Sequence, residues 1–195
     1  MSTLITVSFT QPPINIREIM RYAGLPENDG RVSEIISECL REALPVLSCK
    51  AVYLPVTVAV RETVCDIGGI KIRSSALKKN LDGVKRGVLV CATVGIGIDR
   101  LINKYSRISE VRALIMQAIG AERVEAVLDA LSERLSGELG RLRPRFSVGY
   151  GDAPIEAQRE ITEMLDTARR IGVSLSDSFI MSPTKSVTAI IGIEE

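Results

Sequence analysis

Arg141-Leu-Arg-Pro-Arg-Phe-Ser-Val-Gly-Tyr-Gly-Asp-Ala-Pro154 joins two segments of helical periodicity and holds the chain's densest mixture of arginine, glycine and aromatic residues. Arginine presents a planar fork that grips a carboxylate through two parallel hydrogen bonds. Glycine lets a ligand approach bare backbone, and Tyr150 supplies a flat face for a ring or a cation. An ordered connector between rigid helices is where binding groups gather. The same residue types also suit a structural turn with hydrated arginines, and composition does not separate the two.

Upstream, Val124, Val127, Leu128, Leu131, Leu135 and Leu139 recur at helical spacing and predict a helix over residues 121–139. Glu125 falls at the edge of that stripe, where a carboxylate faces either a crevice or solvent. A separate helix is expected over residues 109–119, ended by Gly120. Downstream, Asp152 is expected to cap a helix with Pro154 in its first turn. Ile161, Met164, Leu165, Ala168 and Ile171 mark its buried face, and Gly172 ends it. Residues 173–181 and 186–193 alternate and predict an antiparallel hairpin across Ser182-Pro-Thr-Lys185. Ser182-x-x-Lys185 matches the Ser-x-x-Lys of penicillin-recognising enzymes, but it joins strands here and lacks the companion Ser-Asp-Asn and Lys-Thr-Gly elements.

Further toward the N-terminus, residues 4–9 read as a short strand that Pro12 and Pro13 end. Asn15, with Glu18 three residues on and Gly24 past the end, punctuates a helix over Ile16–Ala23. A second helix over residues 31–44 carries Cys39 in its apolar stripe, which makes that thiol a core residue. Residues 51–60 form a valine-rich strand, and Pro55 places it at an edge or a bulge. Gly68-Gly69 marks a hairpin turn, and residues 75–81 a short helix. Residues 87–94 are continuously apolar, as in a strand covered on both faces. Gly95-Ile-Gly97 then opens a helix, but Arg100 stands where a dinucleotide fingerprint needs its third glycine.

The 195 residues include 46% hydrophobic ones, enough for a real core, and read as one domain spanning 1–195. With 25 basic and 24 acidic residues there is no global attraction to nucleic acid or an acidic membrane surface. Only 4% are aromatic, which also argues against a base-stacking platform. No signal peptide or transmembrane run is visible, so a soluble cytoplasmic protein is expected. Histidine is absent and the four cysteines form no Cys-x-x-Cys pair. That removes the usual metal ligands and the usual general base, and no catalytic residue or metal site is expected.

Several motifs occur in order: Cys91-Ala-Thr-Val-Gly-Ile-Gly-Ile-Asp-Arg-Leu101, Glu125-Ala-Val-Leu-Asp-Ala-Leu-Ser-Glu-Arg134, Arg145-Phe-Ser-Val-Gly-Tyr-Gly-Asp152 and Ile171-Gly-Val-Ser-Leu-Ser-Asp-Ser-Phe-Ile-Met-Ser-Pro-Thr-Lys-Ser-Val187. Together they resemble the activation domain of cobalamin-dependent methionine synthase, more closely its short stand-alone relatives. The resemblance covers residues 87–193, and residues 1–80 show little of it. It implies an α+β fold, a mainly antiparallel twisted sheet with flanking helices. This chain departs from the family at Gly151-Asp152-Ala153-Pro154, where the family has Pro-Ala-Cys-Pro, and at Ser182, where it has tryptophan. It ends at Glu195, short of the segment that carries another ligand-contacting tyrosine of the family.

The resemblance implies S-adenosylmethionine as ligand. Arg145 matches the motif arginine and would pair the methionine carboxylate, and Glu125 would balance the ammonium. Ser147 and Gly149 would offer backbone groups to the adenosine, with Tyr150 lying against the ligand. The implied function is support of reductive methylation of cob(II)alamin. The cobalamin would sit on a partner, a corrinoid-dependent methionine synthase lacking its own activation domain, with a flavodoxin-type electron donor. The alternative is a docking module for a corrinoid protein that has lost S-adenosylmethionine binding.

Overall fold

Strand-forming runs and amphipathic helices follow one another in the computed structural model, which describes residues 3–26 and 30–194. In chain order they are β1 (Ile5–Ser8), α1 (Ile16–Ala23), α2 (Gly30–Ala43), a 3-10 turn (Leu44–Val46), β2 (Lys50–Arg61), β3 (Val64–Ile67), β4 (Ile70–Arg73), α3 (Ser75–Asn80), β5 (Arg86–Thr93), α4 (Gly97–Tyr105), α5 (Glu110–Leu139), α6 (Ala157–Met164), α7 (Thr167–Ile171), β6 (Ser174–Leu175), β7 (Met181–Ser182) and β8 (Ser186–Ile193). The main sheet runs β4-β3-β2-β5-β8, with β1 paired to the first part of β2, and every pairing is antiparallel. The fold is therefore α+β, a curled antiparallel sheet with flanking helices.

Strand periodicity divides the core between the two faces of this sheet. Val88, Val90 and Ala92 of β5 pack with α1, α2, α4 and α5, while Leu89 and Cys91 face α3, α6 and α7. Both faces of β5 are covered, which is why its sequence reads as one apolar run. Cys39, Cys49, Cys65 and Cys91 are all buried and unbridged. Burial pushes the Cys91 thiol up to about 12, so it stays protonated and unreactive.

Local signals are realised as read. The Asn15 side chain accepts from the Glu18 N–H at 3.2 Å, and Gly24 closes α1 in the left-handed conformation. Gly68 and Gly69, at φ 62° and 105°, make the tight β3–β4 turn. Gly97 answers a different need from phosphate binding: a Cβ there would lie 2.1 Å from the Val46 carbonyl oxygen.

Four expectations are corrected. β2 is an interior strand despite Pro55, because β1 covers its residues 50–53 and β3 its residues 58–61. Pro55 falls in the gap between them, where its missing N–H deprives no neighbour. Residues 173–193 do not form one hairpin. β6 pairs with β7 in a separate two-stranded sheet, and β8 instead runs the length of β5, which buries nearly all of it. The helix expected up to Ile171 breaks into α6 and α7 at Asp166, which is left-handed at φ 47°, with Leu165 and Ile171 still buried on either side.

The fourth correction is Gly120, which does not end a helix. It lies inside α5, which runs unbroken for 30 residues. A Cβ at Gly120 would come within 2.7 Å of Lys185 Cγ, so the glycine exists to let the lysine stem cross the helix. Burial there lowers the Lys185 ammonium from its ordinary range, opposed by Asp99 nearby.

Arg123, on the same helix, is completely buried. Its guanidinium donates to the carbonyls of Pro12 at 2.6 Å and Pro13 at 2.7 Å and pairs with Glu122. Glu122 in turn accepts the Asn15 N–H at 2.9 Å.

Gly120→Ala gains roughly 1 kcal/mol in helix propensity, but drives a methyl into the Lys185 stem, an overpacking of about 1–3 kcal/mol. Urea denaturation is expected to show a less stable protein. In a Lys185→Ala background the same substitution is expected to stabilise. Equal destabilisation in both backgrounds would show that the contact is not the cause.

Candidate functional site

Glu125 and Asp129 stand one turn apart on α5 and so share a face of the helix. Across from them, residues 141–146 run beside β8 as a partial outer strand. Phe146 exchanges backbone hydrogen bonds with Ile190 at 2.9 and 2.8 Å, and Arg143 N–H donates to Gly192 at 2.8 Å. The three arginines of this segment divide. Arg141 and Arg143 both pair with Glu194, at 2.9 and 3.1 Å. Arg145 turns to α5, where its Nη2 lies 3.1 Å from Glu125 and its Nη1 lies 2.6 Å from Asp129. Ser132 Oγ is a further, longer contact of Nη1 at 3.4 Å.

After Phe146 the chain leaves β8 and folds into a tight loop. Ser147 Oγ donates to the Thr188 carbonyl at 2.7 Å, which ties the loop to the strand edge. Gly149 N–H donates to the Ala153 carbonyl at 3.0 Å, and Ala153 N–H to Tyr150 at 3.1 Å. Gly149 has φ 86°, and a Cβ on it would press 2.9 Å from Ile155 Cδ1. Glycine is thus required by conformation, with the tip of the Ile155 side chain packed close against it.

Asp152 does not cap the helix that follows it, as expected from sequence; α6 begins later, at Ala157. Its carboxylate reaches across the chain to α3, accepting from Ser74 Oγ at 2.5 Å, Ser75 N–H at 2.7 Å and Ala76 N–H at 3.1 Å. Those three donors, the Ser74 hydroxyl first, hold its carboxyl well below the usual carboxylate range. The anchor fixes the far end of the loop, while Val148 and Ala153 bury their side chains in the core beneath it.

A cavity of about 260 Å³ opens between α5, the outer part of β8 and this loop. Leu128, Val187 and Ala189 supply apolar walls, and Glu125 and Arg145 supply charge. Ser147 and Tyr150 border it from the loop, and Tyr150 is 73% exposed. Four of the five residues singled out in the sequence therefore line one cavity. Gly149 does not; it shapes the turn, and its N–H is already bonded.

Two features of this region were not anticipated. Asp129 holds Arg145 more closely than Glu125 does, although a charged residue on a helix surface carries no local signal of a partner. A larger depression of about 870 Å³, between residues 12–22 and α5, meets the cavity at Glu125. Its exposed lining is mostly acidic, with Glu18, Asp129 and Glu133 against Arg17. The smaller cavity is the better candidate, because it combines an arginine fork, a carboxylate and apolar walls within one ligand's reach.

Among the described residues no group of side chains is placed to hold a metal ion, and no helix is long and apolar enough to cross a membrane. No family model and no curated protein matches the sequence. In three dimensions the chain is similar to a crystal structure of the MetH reactivation domain bound to AdoHcy, with a TM-score of 0.73 at 14% identity. The match covers 98% of this chain and 78% of the other. The fold is that of the reactivation domain, and it takes in the N-terminal residues whose sequence shows little resemblance.

Asp152→Asn is expected to lower stability at neutral pH. The folded-state carboxyl is depressed, so its contribution is full above the ordinary carboxylate value of about 3.9 and is lost progressively as pH falls from there toward the lower folded-state value. The stability gap between parent and variant should stay constant from pH 7 to about 5, begin to narrow at about 4 and go on narrowing as the pH is lowered further. Chemical denaturation across this pH series measures it, and a gap that widens toward acid would contradict the assignment.

Proposed function

We propose that this protein binds S-adenosylmethionine in the cavity beside Arg145 and presents it to a cobalamin carried by a partner. The observation that carries the proposal is the adjacency of Arg145 and Glu125, 3.1 Å apart at the mouth of a partly apolar cavity. An α-amino acid bears its carboxylate and ammonium on a single carbon, so a receptor must place a cation and an anion within a few ångströms of each other. Arg145 would take the carboxylate through its fork and Glu125 the ammonium. Leu128, Val187 and Ala189 would cover apolar parts of the ligand, and the exposed Tyr150 face suits an adenine ring or a sulfonium. Glu125 also lines the larger depression, which places that space next to the cavity. The fold likeness to a domain whose structure is described as bound to AdoHcy, the demethylated counterpart, supports the same ligand class.

Bound S-adenosylmethionine supplies a methyl group on a sulfonium. No side chain of this cavity is arranged as an acid, base or nucleophile, so the protein's contribution is to hold and orient the donor. The acceptor belongs to the partner, a corrinoid-dependent methionine synthase lacking its own activation domain, reduced by a flavodoxin-type donor in the cytoplasm. A second reading, a docking module that no longer binds the ligand, is favoured by one observation: Arg145 already has carboxylate partners and needs no ligand to be neutralised.

Calorimetric titration with S-adenosylmethionine separates the two readings. One-site binding is expected, weakened roughly ten- to a hundredfold by Arg145→Ala through loss of a charge-assisted contact. A folded protein that gives no heat at millimolar ligand would leave the docking module standing.

A further inference from the structure

Granting the ligand reading above, on which this rests, we propose that Asp129 is an internal rival for the ligand's carboxylate and so determines the affinity of the Arg145 site. The guanidinium has two terminal nitrogens, and the structure divides them. Nη2 faces Glu125, the residue suited to the ligand's ammonium. Nη1 is held by Asp129 at 2.6 Å. A carboxylate that spans both terminal nitrogens competes with Asp129 for the donors of Nη1, and Glu125 gives up those of Nη2 as it turns to the ammonium.

Exposure makes that exchange feasible. The Asp129 side chain is 71% exposed against 28% for Arg145, so the aspartate approaches the fork from the solvent side and has water to return to. An ion pair this open is worth little, and a better-placed carboxylate displaces it readily. Asp129 is also the right mimic, because it offers the same group that the ligand would bring. Removed from the guanidinium, it remains on the rim of the larger depression, one turn from Glu125.

The sign of the effect distinguishes rivalry from the general field of the acidic lining. S-adenosylmethionine carries a sulfonium, an ammonium and a carboxylate, a net positive charge. If Asp129 acted only through the field, Asp129→Asn would weaken binding. As a rival, its removal tightens binding, by about two- to fivefold for a pair so exposed.

The experiment is calorimetric titration of parent, Asp129→Asn and Glu133→Gln with S-adenosylmethionine and with its decarboxylated analogue, each variant first checked by thermal unfolding. Tighter binding of S-adenosylmethionine to Asp129→Asn alone, with no gain for the decarboxylated analogue, is the expected result. If the parent binds and Asp129→Asn binds equally or more weakly, the rivalry is overturned and the ligand reading stands. An equal gain for the analogue, or for Glu133→Gln, overturns it as well. If no folded protein in the set binds S-adenosylmethionine, the ligand reading itself fails and the rivalry falls with it.

Discussion

The buried pair of Arg123 and Glu122 is the constraint on which the placement of the other elements depends. A guanidinium with no exposure to water is tolerable only if it is well partnered, and here backbone carbonyls and a carboxylate engage all three of its nitrogens. Pro12 and Pro13 suit this role: they end β1, cannot donate to a sheet, and leave carbonyls free to point inward. Removing one partner of such a pair costs about 3–5 kcal/mol. The pair therefore fixes the N-terminal stretch against α5, and through the Asn15 N–H it fixes the start of α1. Glu125 and Asp129 follow on the same helix, so the rotation that buries Arg123 also settles which way the site's carboxylates face.

A second set of contacts places the opposite wall. Lys185 crosses α5 at Gly120, and just before it Thr184 donates its N–H to Asp99 of α4 at 3.0 Å. The chain entering β8 is thus tied to two helices at once. Val187 and Ala189 follow directly, which sets the distance between the β8 wall and Leu128 of α5. The loop over the cavity is then closed by Ser147 on β8 and Asp152 on α3. The cavity is accordingly a product of four long-range anchors, each a polar side chain meeting backbone or a stem passing a glycine.

This explains what the sequence disclosed and what it did not. Caps and turns are decided within a few residues, so Asn15, Gly24 and Gly68-Gly69 were legible. Gly120, Pro55 and Asp152 each obey a local rule in isolation, as helix end, edge marker and helix cap. Gly120 and Asp152 are overruled by partners far away in the chain, Lys185 and the start of α3, while Pro55 marks the gap between two neighbours of an interior strand. The pairing of β8 failed for a similar reason, because an alternating segment does not reveal which strand it will meet. Around the cavity, Arg145, Glu125, Ser147 and Tyr150 carry a motif signal, whereas Asp129 resembles any solvated acid on a helix.

Arg123 and Arg145 show how burial, rather than residue type, decides whether an arginine is fixed in place or able to change partners. Both meet acids of the same helix. Arg123 is held in addition by main-chain oxygens that have no freedom to leave, and it is sealed from solvent. Arg145 is held by side chains alone, on rotatable stems, beside a cavity open to water. The first arrangement has one low-energy state. The second has as many as there are carboxylates able to reach the fork, and a ligand that brings its own joins that competition on equal chemical terms.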